Sequence, residues 1–269
     1  MYPVLSRRSG GISIGVNLNP DKICNFDCIY CQVERGEPAE TRFVETEALL
    51  AELDDMLRLV IRGELYQVPP FVDTPDELRR LNDIAFSGDG EPTTYRNFDE
   101  IVEACAALKR RHGLDDVKLL LITNASMFDR PAVERGLAIL DANQGEVWAK
   151  LDAGTADYFR LVERTTIPFE RILDNITAAA QVRPLVIQSL FMQIDGQGPT
   201  PDEQEAFCQR LNEIAAEGGQ IKLVQIYTVA RPPAERNVTP LADDQLDALV
   251  ALVRARTGLA VEGYYGARA

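Results

Sequence analysis

The chain has 269 residues, 46% hydrophobic and 26% charged, enough to fill one large globular domain. Its formal net charge of −14, from 28 basic and 42 acidic side chains, repels phosphate backbones on average and argues against extensive nucleic-acid binding. No apolar run approaches the ~18 residues of a membrane span, and the opening "MYPVLSRRSGG" has no apolar core of signal-peptide length. A cytoplasmic protein is expected.

In chain order, the first predicted strand is "GISIGVNL" (11–18), followed by a cysteine-bearing loop over 19–35. Residues 46–62 then place Leu49, Leu53, Met56, Leu57 and Val60 on one helical face, with Thr46 to cap the start and Gly63 to end it. The proline-rich, polar stretch 64–82 reads as an insertion before a second strand at 83–88. Asn97 opens a helix striped by Phe98, Ile101, Val102, Cys105 and Leu108, and His112 at its basic end suits the negative pole of the helix dipole. Further strands are predicted at 117–123, 146–152, 185–194 and 221–229. Thr200-Pro201-Asp202-Glu203 reads as a capping box, opening a helix with Phe207, Cys208, Leu211 and Ile214 on one face. A C-terminal helix and a short edge segment fill 240–269. Six strands, each followed by a helix, imply parallel pairing with right-handed crossovers. The expectation is an α/β fold, a partial (β/α)6 TIM-like barrel, with 1–269 as a single domain.

Cys24, Cys28 and Cys31 stand within eight positions, directly after the first strand. In a βα barrel that place is the C-terminal rim, where loops build active sites. Closely spaced cysteines in a reducing compartment point to metal binding or catalysis more than to disulfides. The spacing C-x3-C-x2-C lets one loop wrap a [4Fe–4S] cluster with three thiolates, leaving one iron open to a non-protein ligand. Structural zinc wants four tetrahedral ligands. The remaining candidates do not supply the fourth: Cys105 and Cys208 lie on apolar helix faces, where buried cysteines pack as small hydrophobes.

The pattern C-x3-C-x-aromatic-C, with Tyr30 as the aromatic, resembles the signature of the radical S-adenosylmethionine (SAM) superfamily. The stretch "SRRSGGISIGVNLNPDKICNFDCIYCQ" (6–32) resembles a subgroup of iron–sulfur oxidoreductases related to the wybutosine-synthesis enzyme. "SGDGEPT" (87–93), "LITN" (121–124), "KLDA" (150–153) and "RPP" (231–233) continue the match in the same order. The resemblance implies a radical SAM core, with Cys24, Cys28 and Cys31 as cluster ligands and SAM as second cofactor. It implies reductive cleavage of SAM to a 5′-deoxyadenosyl radical, which takes a hydrogen atom from substrate. SAM contacts are implied at Tyr30, Gly88, Asp89, Gly90, Glu91, Asn124, Lys150, Asp152 and Ser189. Gln225 and Tyr227, on one face under period-two alternation, and Arg231 become substrate-side candidates. No catalytic residue beyond the cluster is singled out. An electron donor such as flavodoxin or ferredoxin is implied as partner.

The acidic charge and the lack of a second cysteine cluster favour a small metabolite or a peptide as substrate. A tRNA-base-modifying enzyme and a glycyl-radical activase are the enzymatic alternatives. A non-enzymatic iron–sulfur or zinc-binding module is the third, although such a module has no need of "GEPT" after the second strand.

Overall fold

Ile12, Ile14, Val16, Ile84, Phe86, Leu119 and Leu121 are all fully buried, the near-continuous apolar pattern of strands covered on both faces. They belong to a computed structural model that describes residues 1–266 except Arg7, Pro38, Glu40, Arg42 and Ala234. The chain forms two compact units, Met1–Cys24 with Pro38–Ile122 and Asp129–Glu146, and Asn25–Glu37 with Thr123–Phe128 and Val147–Ala269.

The first unit runs β1 (Tyr2–Ser6), β2 (Gly11–Val16), α1 (Thr46–Ile61), β3 (Leu81–Phe86), α2 (Phe98–Arg111), β4 (Lys118–Thr123) and α3 (Pro131–Asp141). β2, β3 and β4 pair in parallel, while β1 folds back antiparallel on β2. The sequence reading missed β1; its Pro3 suits an edge strand, where no ladder donor is needed. Gly15 makes room for it, since a Cβ there would lie 2.1 Å from the ring of Tyr2. As expected, α1 buries Leu49, Leu53, Leu57 and Val60 and stops at Gly63, whose φ of 72° costs glycine nothing. The insertion 64–82 holds 3-10 turns at Glu64–Gln67 and Asp76–Leu78 and ends in β3. At the end of α2 the buried Lys109 donates to Val117 O (2.6 Å), Asn143 O (3.1 Å) and Gln144 Oε1 (2.5 Å). His112 sits at the C-cap, with Nε2 2.6 Å from Asp54 Oδ1.

β5 (Gly145–Lys150) enters the second unit at Val147. It is followed by α4 (Ala156–Glu163), α5 (Phe169–Val182), β6 (Leu185–Leu190), β7 (Met192–Ile194), α6 (Pro201–Ala216), β8 (Ile221–Tyr227), β9 (Val238–Pro240), α7 (Asp243–Thr257) and β10 (Val261–Tyr264). β5, β6, β8 and β10 pair in parallel in that order. The apolar run 185–194 is therefore not one strand. It breaks at Phe191, and β7 pairs antiparallel with β9 in a two-stranded sheet of its own.

The capping box at 200–203 is half formed. Thr200 Oγ1 accepts from Glu203 N at 3.2 Å, but the Glu203 carboxylate accepts instead from Gly154 N (2.5 Å) and Thr155 Oγ1 (2.6 Å). That carboxylate thereby braces the loop after β5. Each of the six predicted strands has a helix behind it. Cys105 and Cys208 are buried in α2 and α6 as packing residues, and burial pushes the Cys105 thiol up to about 12.

Candidate cofactor site

In the first unit, the loop "SGDGEP" leaves β3 and lies against the turn after β2. A Cβ on Gly88 would lie 2.3 Å from Asn17 Oδ1, and one on Gly90 would lie 2.3 Å from Ile23 O. Only glycine lets the backbone approach so closely. Asn17 fixes the loop from both sides: Nδ2 donates to Asp89 Oδ2 (2.7 Å) and Oδ1 accepts from Asp89 N (3.2 Å) and Asn19 N (3.0 Å). Glu91 is buried, and its Oε1 accepts from Thr93 N (3.1 Å) and Thr93 Oγ1 (2.5 Å), capping the turn Pro92–Thr94. The sequence places these four residues by motif; the structure adds Asn17, which the reading did not single out.

In the second unit, the chain from Asn25 to Cys31 docks on the C-terminal end of α4. Orphan carbonyls at a helix end need donors, and here they receive Asp27 N→Glu163 O (3.0 Å) and Ile29 N→Val162 O (2.9 Å). Cys31 N donates to Cys28 O (2.9 Å), so Cys28 to Cys31 form a tight turn. Ile29 and Tyr30 enter an apolar cluster with Val162, Leu190, Met192, Val229 and Val238, with Cys28, Tyr158 and Tyr227 packed around it. Arg35 reaches back to Cys31 Sγ at 3.6 Å.

The polar side of that turn is a buried network. Lys150 Nζ donates to the Tyr30 hydroxyl (2.5 Å), which donates in turn to Asp152 Oδ2. Asp152 Oδ1 accepts from Leu190 N at 2.7 Å. Glu163, the last residue of α4, brings Oε2 to 2.6 Å from Cys28 Sγ and Oε1 to 3.4 Å from the Tyr30 hydroxyl. Burial first, then the Asp152 charge, push the Glu163 carboxyl well above the usual carboxylate range, against the pull of Lys150. Burial and the nearby Glu163 charge likewise push the Cys28 thiol up. Burial works against the Lys150 ammonium, but Tyr227, Asp152, Cys28 and Glu163 outweigh it and hold the group charged.

The structure thus brings Cys28, Tyr30, Lys150 and Asp152 together, and adds Glu163. The remaining candidates have local partners. Ser189 Oγ donates to Leu151 O (2.6 Å), and Gln225 Oε1 accepts from Gln188 Nε2 (3.0 Å). Asn124 accepts from Ser126 Oγ (2.6 Å) and donates to Asn25 Oδ1 (2.9 Å). Tyr227 is half-buried beside the apolar cluster. Arg231 exposes its side chain, and its carbonyl accepts from Gln32 Nε2 (3.1 Å).

A sequence model described as the Radical SAM superfamily matches residues 18–211. The chain belongs to the radical SAM superfamily. Among curated relatives, a protein called GTPase Obg from Brachyspira hyodysenteriae is 22% identical over 250 residues, 91% of this chain and 32% of that protein. A UPF0026 protein of Helicobacter pylori is 26% identical over 248 residues, 91% of this chain and 70% of its own length. The chain therefore spans only about a third of the first relative. Among solved structures, a radical SAM methyltransferase from Sphaerobacter thermophilus is similar with a TM-score of 0.67 at 13% identity, covering 98% of this chain and 68% of that one. That likeness shows the fold, the α/β, mostly parallel partial barrel expected from the strand–helix order.

Radical SAM proteins use a [4Fe–4S] cluster and SAM, and this radical SAM chain is accordingly an enzyme with those cofactors; radical SAM enzymes typically need a reductant. Among the described residues no helix is long and apolar enough to cross a membrane. In donor chemistry the three cysteines of the motif suit the cluster. Cys24, Cys28 and Cys31 are half-buried and outside any disulfide, and soft thiolates are the ligands that iron–sulfur cores take.

Proposed function

We propose that Cys24, Cys28 and Cys31 hold the [4Fe–4S] cluster and that the enzyme takes a hydrogen atom from a small metabolite or a peptide. The carrying observation is the sorting of the five cysteines: three half-buried on one short stretch of chain, two fully buried as packing residues of α2 and α6. When bound, the cluster and SAM supply a one-electron cleavage of the sulfonium C–S bond that yields a 5′-deoxyadenosyl radical.

The protein's part is to bind and orient. We assign the SAM amino group to the loop Gly88, Asp89, Gly90 and Glu91, whose glycines and Asn17 ties fix a close-approaching backbone. Tyr30, Lys150 and Asp152 form a rigid, buried donor–acceptor chain that we assign to the rest of SAM. Asn124 and Ser189 act through the backbone they brace. Gln225, Tyr227 and Arg231 remain the substrate-side residues. A flavodoxin or ferredoxin as reductant and a cytoplasmic setting complete the reading. The net charge of −14 supports a small substrate over tRNA.

The test is anaerobic reconstitution followed by reduction with SAM present. The wild type should hold about four irons per chain and release 5′-deoxyadenosine, and Cys28→Ala should lose both. Unchanged release from Cys28→Ala would refute the ligand assignment. Salt-sensitive binding of bulk tRNA with roughly micromolar affinity would replace the small-substrate reading with RNA.

A further inference from the structure

Glu163 stands where a carboxyl is least welcome. It is the last residue of α4, at the negative pole of the helix, and only 3% exposed. Neither the helix nor the core gains from it there. Three of its contacts lead to the cysteine turn. Its carbonyl accepts from Asp27 N at 3.0 Å, its Oε2 lies 2.6 Å from Cys28 Sγ, and its Oε1 lies 3.4 Å from the Tyr30 hydroxyl. One residue therefore grips the chain on both sides of Cys28 and at its sulfur.

We propose that Glu163 is a positioning residue that sets Cys28 Sγ in place to receive the iron–sulfur cluster. The inference rests on the assignment of Cys28 as a ligand. The work is done by reach: the side chain must span from the end of α4 to the sulfur while Tyr30 holds its other oxygen. Groups that orient a metal ligand in this way change metal affinity by roughly 10- to 100-fold when altered. Lys150 and Asp152 meet the same Tyr30 hydroxyl, so the turn is gripped from β5 as well. Glu163 alone among them has a hydrogen-bonding oxygen at the sulfur.

Two variants separate reach from charge. Glu163→Asp keeps the acid but draws it back by about 1.5 Å, one carbon–carbon bond. Glu163→Gln keeps the reach and loses the charge. Iron and sulfide per chain are measured after limiting anaerobic reconstitution of the full chain, with melting temperature recorded for each variant. The proposal expects Glu163→Asp to bind cluster at least ~10-fold more weakly than the wild type, and Glu163→Gln to restore loading to near the wild-type value. Equal loading of Glu163→Asp and wild type overturns it. So does parallel loss in both variants, which would mark the residue as a buried fold determinant. Cys28→Ala is the control for the underlying reading: if it loads normally, the ligand assignment has failed; if it loads poorly while Glu163→Asp loads fully, only the positioning role has.

Discussion

Lys150 Nζ lies 2.5 Å from the Tyr30 hydroxyl and 4.4 Å from the centre of its ring. The ammonium therefore meets both the oxygen and the π face of one side chain, and Asp152 Oδ2 stands 3.6 Å away. It is the cation of a buried group that also holds the Asp152 and Glu163 carboxyls. Removing one partner of such a set leaves its countercharge buried, at a cost of ~3–5 kcal/mol. Lys150→Met should lower unfolding stability by about that amount in urea titrations. Asp152→Asn in the same chain should recover part of it, a coupling of ~0.5–3 kcal/mol. Strictly additive losses would show that the two charges do not act on each other.

Gly90 tests the loop after β3. A methyl group there would lie 2.3 Å from the backbone oxygen of Ile23, which has no flexible side chain to move aside. Overpacking of this kind costs ~1–3 kcal/mol. Gly90→Ala should displace the loop and weaken SAM binding at least ~10-fold in equilibrium titration, with the iron content of the protein unchanged. Unaltered SAM affinity would remove the loop from the SAM assignment.

Asp83, on β3, carries a pH signature of its own. Burial raises its carboxyl above the ordinary 3.8, although Ser13 and Asn82 hydrogen-bond it. A folded-state value above the unfolded one means that the folded chain binds more protons within that window, so stability falls as pH rises through it. The contribution is fully present below 3.8 and lost once pH passes the raised value. Asp83→Asn removes this titration. Compared by urea midpoint, the variant should gain on the wild type as pH rises from below 3.8 to about 7. A constant difference across that range would contradict the raised value.

Lys109 is a buried cation with a structural role. Its three donors meet two backbone carbonyls and the Gln144 amide oxygen. Lys109→Met keeps the stem but leaves those acceptors without the ammonium, and each buried unsatisfied group costs ~1–3 kcal/mol. Denaturant titration should show a loss of at least ~2 kcal/mol. A change under ~0.5 kcal/mol would mean that water or another donor replaces the ammonium.

The six predicted strands and the helices behind them were legible because burial on both faces writes itself as short apolar runs separated by helical periods. The cysteine turn, with Tyr30, Lys150 and Asp152, was legible as motif. What escaped depends on partners distant in sequence. The polar residues of the run Leu185–Ile194 are Gln188, Ser189 and Gln193, and Phe191 lies between apolar neighbours, so nothing in the pattern marks it as the point where pairing passes from β8 to β9. β1 was hidden by Pro3 and by its half-exposed, weakly alternating pattern. The Glu203 arm of the capping box looked complete locally, yet Gly154 and Thr155 claim the carboxylate. Glu163 gave one readable signal, an acidic residue at the unfavourable end of a helix.

The most direct test of the account is the electron paramagnetic resonance spectrum of the reduced, reconstituted protein with and without SAM labelled at its amino nitrogen and carboxylate oxygen. The account predicts a spectrum altered by SAM, with hyperfine coupling from both labels to the cluster, as a core held by three cysteines with one iron left for SAM requires. A cluster signal unchanged by saturating SAM, or a fourth protein ligand on the iron, would contradict it.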